Sequence, residues 1–356
     1  MVIAPFDVPR LPKLVFGAGL LARLPELVRG FGDKALLVTG SRSLTSSRRL
    51  DAILAGLKAA SIEVHHASVS GEPAPAFVDA TAAQFRGQGV SVVVAVGGGS
   101  AVDAGKAVSA MLAEDGSVVE YLEGVGKRKP SGSKVPFIAV PTTAGTGSEA
   151  TKNAVLSRVG PDGFKRSLRH DRYVPDAALI DPELALTCPP DVSGACGVDA
   201  FTQLLEAYVC VRANPFTDSL ALGAMALVRD HLLPACTGQD LKARSAMAYA
   251  AYASGVCLAN AGLGVIHGLA GTIGGWYPIP HGVICAALAT RAIAANIKAL
   301  RACGDQGRPA LTKYAGVGAL LAGSDPNDLE VSTLKENPVK LDQEALRGIL
   351  VSRIVE

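Results

Sequence analysis

The run Val92-Val93-Val94-Ala95-Val96, followed at once by Gly97-Gly98-Gly99-Ser100, constrains this chain more than any other stretch. Consecutive apolar, mostly β-branched residues suit a buried strand, and glycines at its end let backbone amides approach an anion without obstruction by Cβ. Residues 101–112 are rich in helix formers, so the glycines open a helix whose N-terminal N–H groups and dipole favour a pyrophosphate. The spacing is neither G-x-G-x-x-G nor the Walker pattern, because Lys106 precedes Ala107 rather than Ser or Thr. A nucleotide loop of a third kind is required.

The flanking sequence supplies the rest of such a fold. Strand-like segments at 35–39, 62–67, 90–96 and 135–140 alternate with helix-like ones at 47–60, 75–88 and 101–112. This alternation predicts a Rossmann-like parallel sheet covered by helices, with ligands outside the C-terminal strand ends. Past Asp181 the apolar period lengthens to that of helices, and Asp181-Pro182 and Asn214-Pro215 each read as an N-cap followed by Pro. We therefore expect a dinucleotide-binding α/β domain over 1–180 and an all-helical metal and substrate domain over 181–356.

Composition narrows the class of partner. A formal net charge of +2 gives no electrostatic case for nucleic acid or an acidic membrane surface. No apolar stretch reads as a membrane span of about 18 residues, and the N-terminus lacks a signal-peptide pattern. Seven cysteines without a Cys-x-x-Cys pair read as buried thiols, which suits the cytoplasm.

Four polar residues stand out in the second half. Asp199 and Gln203 are four apart on a helix-like stretch, so their side chains share one face. His267 and His281 are separated by Gly274, Gly275, Pro278 and Pro280, so no single helix carries both. Asp, His and His gathered from separate elements, with an open coordination position, suit a catalytic divalent metal that polarises an alcohol or carbonyl oxygen.

The Gly-Gly-Gly-Ser-x-x-Asp-x-x-Lys pattern of 97–106 resembles the iron-containing (group III) alcohol dehydrogenases, in the superfamily of glycerol dehydrogenase, maleylacetate reductase and dehydroquinate synthase. Three further stretches agree in order: Pro141-Thr142-Thr143-Ala144-Gly145-Thr146-Gly147-Ser148-Glu149, Asp181-Pro182-Glu183-Leu184 and Ile279-Pro280-His281-Gly282. The resemblance implies hydride transfer between NAD or NADP and a small alcohol and its aldehyde or ketone. It places Gly98, Gly99, Ser100 and Asp103 at the pyrophosphate, Thr142, Thr143, Thr146 and Thr151 along the cofactor, and Lys165 near a ribose. Asp199, His267 and His281 match metal ligands and are the expected catalytic residues. A homodimer is the default assembly.

This chain departs from that pattern at several positions. Gln203 stands where the family carries a further His ligand, and an amide oxygen is a weaker donor, so iron binding is expected to be weakened and zinc or an empty site becomes credible. Gly271 replaces a His of the proton relay, four residues past His267. Gly40 replaces the Asp that binds the ribose diol in NAD-dependent relatives; with Arg42 beside it, NADP is expected. Near 324–332 the sequence is shortened by one or two helices. Two other readings follow from these departures: a metal-independent reductase resembling maleylacetate reductase, and a nucleotide-binding relative without turnover.

Overall fold

A computed structural model describes residues 3–41, 44 and 49–322 of the chain. Arg42 and the shortened segment near 324–332 lie outside the described residues. The strands are β1 (Lys13–Phe16), β2 (Lys34–Gly40), β3 (Glu63–Val69), β4 (Val92–Gly97), β5 (Phe137–Pro141), β6 (Asn153–Arg158), β7 (Phe164–Arg169) and β8 (Ala177–Ile180). Six of them form one parallel sheet in the order β1-β8-β5-β4-β2-β3, while β6 and β7 pair as an antiparallel hairpin.

The valine run is β4, and it sits in the middle of the sheet, buried along its whole length. Helices α1 (Leu24–Arg29), α2 (Arg49–Ala59), α3 (Pro75–Phe85) and α4 (Gly99–Met111) cover the sheet. Because strand side chains alternate, Val93 and Ala95 pack with Val78, Phe85 and Val108 of α3 and α4, while Val92, Val94 and Val96 pack with Leu27, Ile53 and Leu57 of α1 and α2. Burial on both faces is what a continuous apolar strand requires. The chain lays β3 beside β2 on one side, then crosses back to place β4 on the other, so the C-terminal ends of β2 and β4 border the crevice where ligands bind in such sheets.

The remaining helices are α5 (Pro190–Val209), α6 (Pro215–Thr237), α7 (Leu241–Ala261), α8 (Val265–Trp276), α9 (His281–Ala302) and α10 (Arg308–Ala322). Their common core includes Leu204, Met225, Val228, Met247, Ile293 and Tyr314. Asn214 caps α6 as its sequence predicts, accepting a hydrogen bond from the Thr217 N–H at 3.1 Å. Asp181 behaves differently. It caps only a single 3-10 turn, Pro182–Ala185, and its carboxylate also accepts from the N–H groups of Gly19 and Leu21 at 3.1 and 2.8 Å. The long helix begins later, at Pro190, where Pro189 as N-cap cannot continue a preceding helix and Pro190 suits the first helical position.

Contrary to the sequence expectation, α9 is long and apolar enough by composition to cross a membrane, with a mean hydropathy of 1.5 over its most apolar window. Its first turn instead enters the polar cluster described below, and Ile293 and Ile297 join the helical core.

Small residues allow the helices to meet the sheet loops. A Cβ on Gly255 of α7 would lie 2.2 Å from the Gly147 carbonyl oxygen, so this backbone contact depends on glycine. Gly282 does the same for α9: its Cβ would stand 2.3 Å from the carbonyl oxygen of Ala195, one turn before Asp199 on α5.

Candidate active site

Two clusters lie at the edges of this framework. The first is built on the C-terminal end of β4, where Gly98 caps α4 and Ser100 occupies the helix's first turn. The loop 142–147 after β5 faces it, joined by the Thr142 N–H donating to the Gly97 carbonyl at 2.9 Å. The two loops are in such close contact that a Cβ on Gly99 would fall 2.6 Å from Thr146 Cγ2, and one on Gly98 would stand 3.3 Å from Thr143 Oγ1. Glycine at 99 is thus required by loop packing, whatever ligand approaches it. At the end of β2, by contrast, a side chain added to Gly40 would meet open space, while Gly40 itself lies beside Gly97.

A buried ionic strut fixes this loop pair. Lys106 is 1% exposed, and its ammonium donates to the Ser148 carbonyl, the Asn153 carbonyl and the hydroxyls of Ser148 and Thr151, at 2.6–3.3 Å. Ser148 in turn donates to Asp103. Burial lowers the Lys106 pKa to about 8 and raises that of the neighbouring Glu149 to about 7. The hydroxyl of Thr151 is engaged within this strut, whereas Thr143 and Thr146 are partly exposed beside the glycines.

The second cluster gathers side chains from three helices. Asp199 projects from α5. The chain turns by 102° between α7 and α8 through Gly262, at φ +100°, and this bend brings His267 over α5. His281 opens α9, with Pro280 as its N-cap. His267 Nε2 stands 3.2 Å from Asp199 Oδ1, and His281 Nε2 stands 3.8 Å from the same oxygen. Two partners are not apparent from the sequence. Cys285, one turn beyond His281, places its Sγ 3.7 Å from His281 Nε2, and one donor atom from each of Asp199, His267, His281 and Cys285 lies within 4.8 Å of the others. Glu206 accepts from His267 Nδ1 at 2.7 Å and from the Ile266 N–H at 2.7 Å, in space left by Gly264, where a Cβ would lie 2.7 Å from its carboxylate.

The electrostatics of this cluster reflect burial offset by close partners. Burial disfavours a charged His267, but hydrogen bonds to Asp199, Cys285 and Glu206 outweigh it and hold the pKa up at about 12. Burial likewise opposes ionisation of Asp199 and Glu206, yet the bond each makes to His267 keeps both below the ordinary carboxylate range. Burial depresses His281 and raises the Cys285 thiol. Two carboxylates around one imidazole form a preset binding site for positive charge, which a proton or a metal cation can satisfy.

Two other sequence-selected residues are placed by their partners. The Gln203 carbonyl oxygen accepts from Ser254 Oγ of α7 at 2.7 Å. Lys165, on β7, pairs with Glu72 between β3 and α3, and Gly274 of α8 lies against its side chain. That pair lies close enough to His281 to act on its charge, so Lys165 stands between the two clusters. Gly271 faces open space on α8. Among the other histidines, His66 bonds to Thr39, His65 packs on Phe85 and His170 caps a turn.

Comparison with known proteins agrees with this arrangement. The family model for iron-containing alcohol dehydrogenase matches residues 12–182, and that for the C-terminal region of the Fe-containing alcohol dehydrogenase family matches 193–338. Long-chain-alcohol dehydrogenase 1 of Geobacillus thermodenitrificans is 37% identical over 75% of this chain and 67% of its own length. The NAD-dependent methanol dehydrogenase of Bacillus methanolicus is 34% identical over 76% of this chain and 71% of its own. Among solved structures, an archaeal halo-thermophilic alcohol dehydrogenase from a Red Sea brine pool superposes with a TM-score of 0.86 at 28% identity, covering 99% of this chain and 87% of that one.

Proposed function

The chain belongs to the iron-containing alcohol dehydrogenase family, and we propose that Asp199, His267 and His281 hold its catalytic metal while the loop 97–100 and the facing threonines hold its dinucleotide. It is an NAD(P)-dependent alcohol dehydrogenase that interconverts a small alcohol and its aldehyde or ketone by hydride transfer. The observation that carries the site assignment is the convergence of His267 Nε2 and His281 Nε2 on Asp199 Oδ1, at 3.2 and 3.8 Å.

The donor set fits a divalent transition metal, since one carboxylate and two imidazoles of separate helices meet in a buried pocket. When bound, the metal polarises the alcohol or carbonyl oxygen and the nicotinamide exchanges the hydride. The protein's own residues prepare for both. Glu206 accepts the Nδ1 proton of His267 and so leaves Nε2, which faces Asp199, as the nitrogen that would exchange its proton for a metal. Gly98, Gly99 and the first N–H groups of α4 offer donors to a pyrophosphate, with Ser100 beside them. Asp103 shapes the loop through Ser148, Thr142, Thr143 and Thr146 wall it, and Thr151 supports it through the Ser148 carbonyl. Lys165, paired with Glu72 beside His281, is suited to a cofactor ribose.

Finer features of the reading rest on particular residues. Open space at Gly40 leaves room for a 2′-phosphate, which supports NADP as the preferred cofactor, with Arg42 as its partner. The seven cysteines are all free thiols, which supports a cytoplasmic enzyme. A homodimer is the assembly proposed, as the commonest closed symmetry of soluble enzymes. Dividing the chain at 180–181 assigns cofactor binding to the first part and the metal to the second. Alcohol-dependent reduction of NADP, with metal added or chelated, tests the reading.

A further inference from the structure

We propose that Cys285, rather than Gln203, is the fourth protein donor of the metal site, and that the resulting Asp–His–His–Cys set selects zinc over iron. This rests on the metal assignment above. Around zinc, with bonds of about 2.0–2.3 Å, neighbouring donors of a tetrahedron stand roughly 3.3–3.6 Å apart. The observed edges are 3.2 Å from Asp199 Oδ1 to His267 Nε2, 3.8 Å from Asp199 Oδ1 to His281 Nε2 and 3.7 Å from His281 Nε2 to Cys285 Sγ. These three edges bracket the tetrahedral values, and the other three lie within 4.8 Å, so an ion would draw the four groups inward by side-chain shifts of no more than about an ångström.

Position and environment favour the thiol. Cys285 follows His281 by four residues, so both project from one face of α9, and it is fully buried against the cluster. Gln203 is differently engaged: its carbonyl oxygen accepts from Ser254 on α7, a helix that carries neither histidine. A thiolate is a softer donor than the imidazole it would replace, and soft donors favour zinc over iron(II). Zinc sites can expand to five donors, so a fourth protein ligand does not exclude a substrate oxygen.

Cobalt(II) titrated into the metal-free full-length protein tests this directly, because a coordinated thiolate gives a charge-transfer band that oxygen and nitrogen donors do not. The wild type is expected to show that band, Cys285→Ser to lose it while still binding cobalt, and Gln203→Ala to keep it. Zinc affinity of Cys285→Ser, read by competition with a chelator, should fall by at least about 100-fold, more than loss of an outer partner costs. A wild type that binds cobalt without the band, or a band that survives in Cys285→Ser, overturns the thiolate assignment and leaves the metal site standing. Cobalt binding that is absent in the wild type, or undiminished in Asp199→Asn, overturns the metal assignment and this inference with it.

Discussion

Glu206 and His267 are joined by a 2.7 Å hydrogen bond that leaves the other imidazole nitrogen 3.2 Å from Asp199. A carboxylate behind a ligating histidine fixes its tautomer and raises its basicity. Glu206→Gln should therefore keep the fold and lower metal affinity by about 10–100-fold. Chelator competition on the two proteins reads the change, and equal affinity would show that Glu206 serves only the backbone at Ile266.

Gly99 and Thr146 separate packing from cofactor binding. Gly99→Ala places a methyl 2.6 Å from Thr146 Cγ2, and such overpacking costs about 1–3 kcal/mol. Adding Thr146→Ala removes the opposing atoms and should restore the melting temperature. Cofactor affinity should stay lower in the double variant than in Thr146→Ala alone, because the new methyl still obstructs the pyrophosphate. Recovery of both properties would limit Gly99 to a packing role.

Glu149 gives a pH signature. Its folded pKa of about 7 lies above the ordinary 4.5, because burial favours the neutral acid. The folded state then binds more protons than the unfolded state between these values. The stabilisation is complete below pH 4.5 and is lost as pH rises through 7, by about 3 kcal/mol at most. Denaturant unfolding of Glu149→Gln should show less loss of stability across that window than the wild type. Parallel curves for the two proteins would mean that Lys106 keeps Glu149 ionised throughout.

Cofactor choice is tested at the end of β2. Gly40→Asp introduces a carboxylate into open space, and Arg42→Ala removes the charge expected to meet a 2′-phosphate. Each should lower the NADP-to-NAD ratio of kcat/KM, Arg42→Ala by about 10–100-fold, the range of a charge-assisted hydrogen bond. An unchanged ratio in Arg42→Ala would remove that residue from the site.

Much of this architecture was legible in the sequence, for reasons that differ by element. β4 and its glycines were plain because a strand buried on both faces must be continuously apolar, and a backbone approaching its neighbour must be glycine. Asp199, His267 and His281 were legible through the family resemblance. The β6–β7 hairpin was not, because Lys165, Arg166 and Arg169 break any apolar alternation. Glu206 and Glu72 were equally hidden, since their partners lie 61 and 93 residues away and only the folded chain brings them together. Cys285 carried one local clue, its spacing of four from His281, but an apolar helix full of small residues disguises a thiol as core packing.

The most direct test of the account is the metal content of purified wild type and His281→Ala, measured by elemental analysis alongside alcohol-dependent reduction of the nicotinamide cofactor. A metal-assisted site requires about one divalent metal per chain and activity abolished by chelation in the wild type, with metal and activity both lost in a His281→Ala protein that remains folded by circular dichroism. A wild type fully active without metal, or a His281→Ala protein that retains its metal, would contradict it.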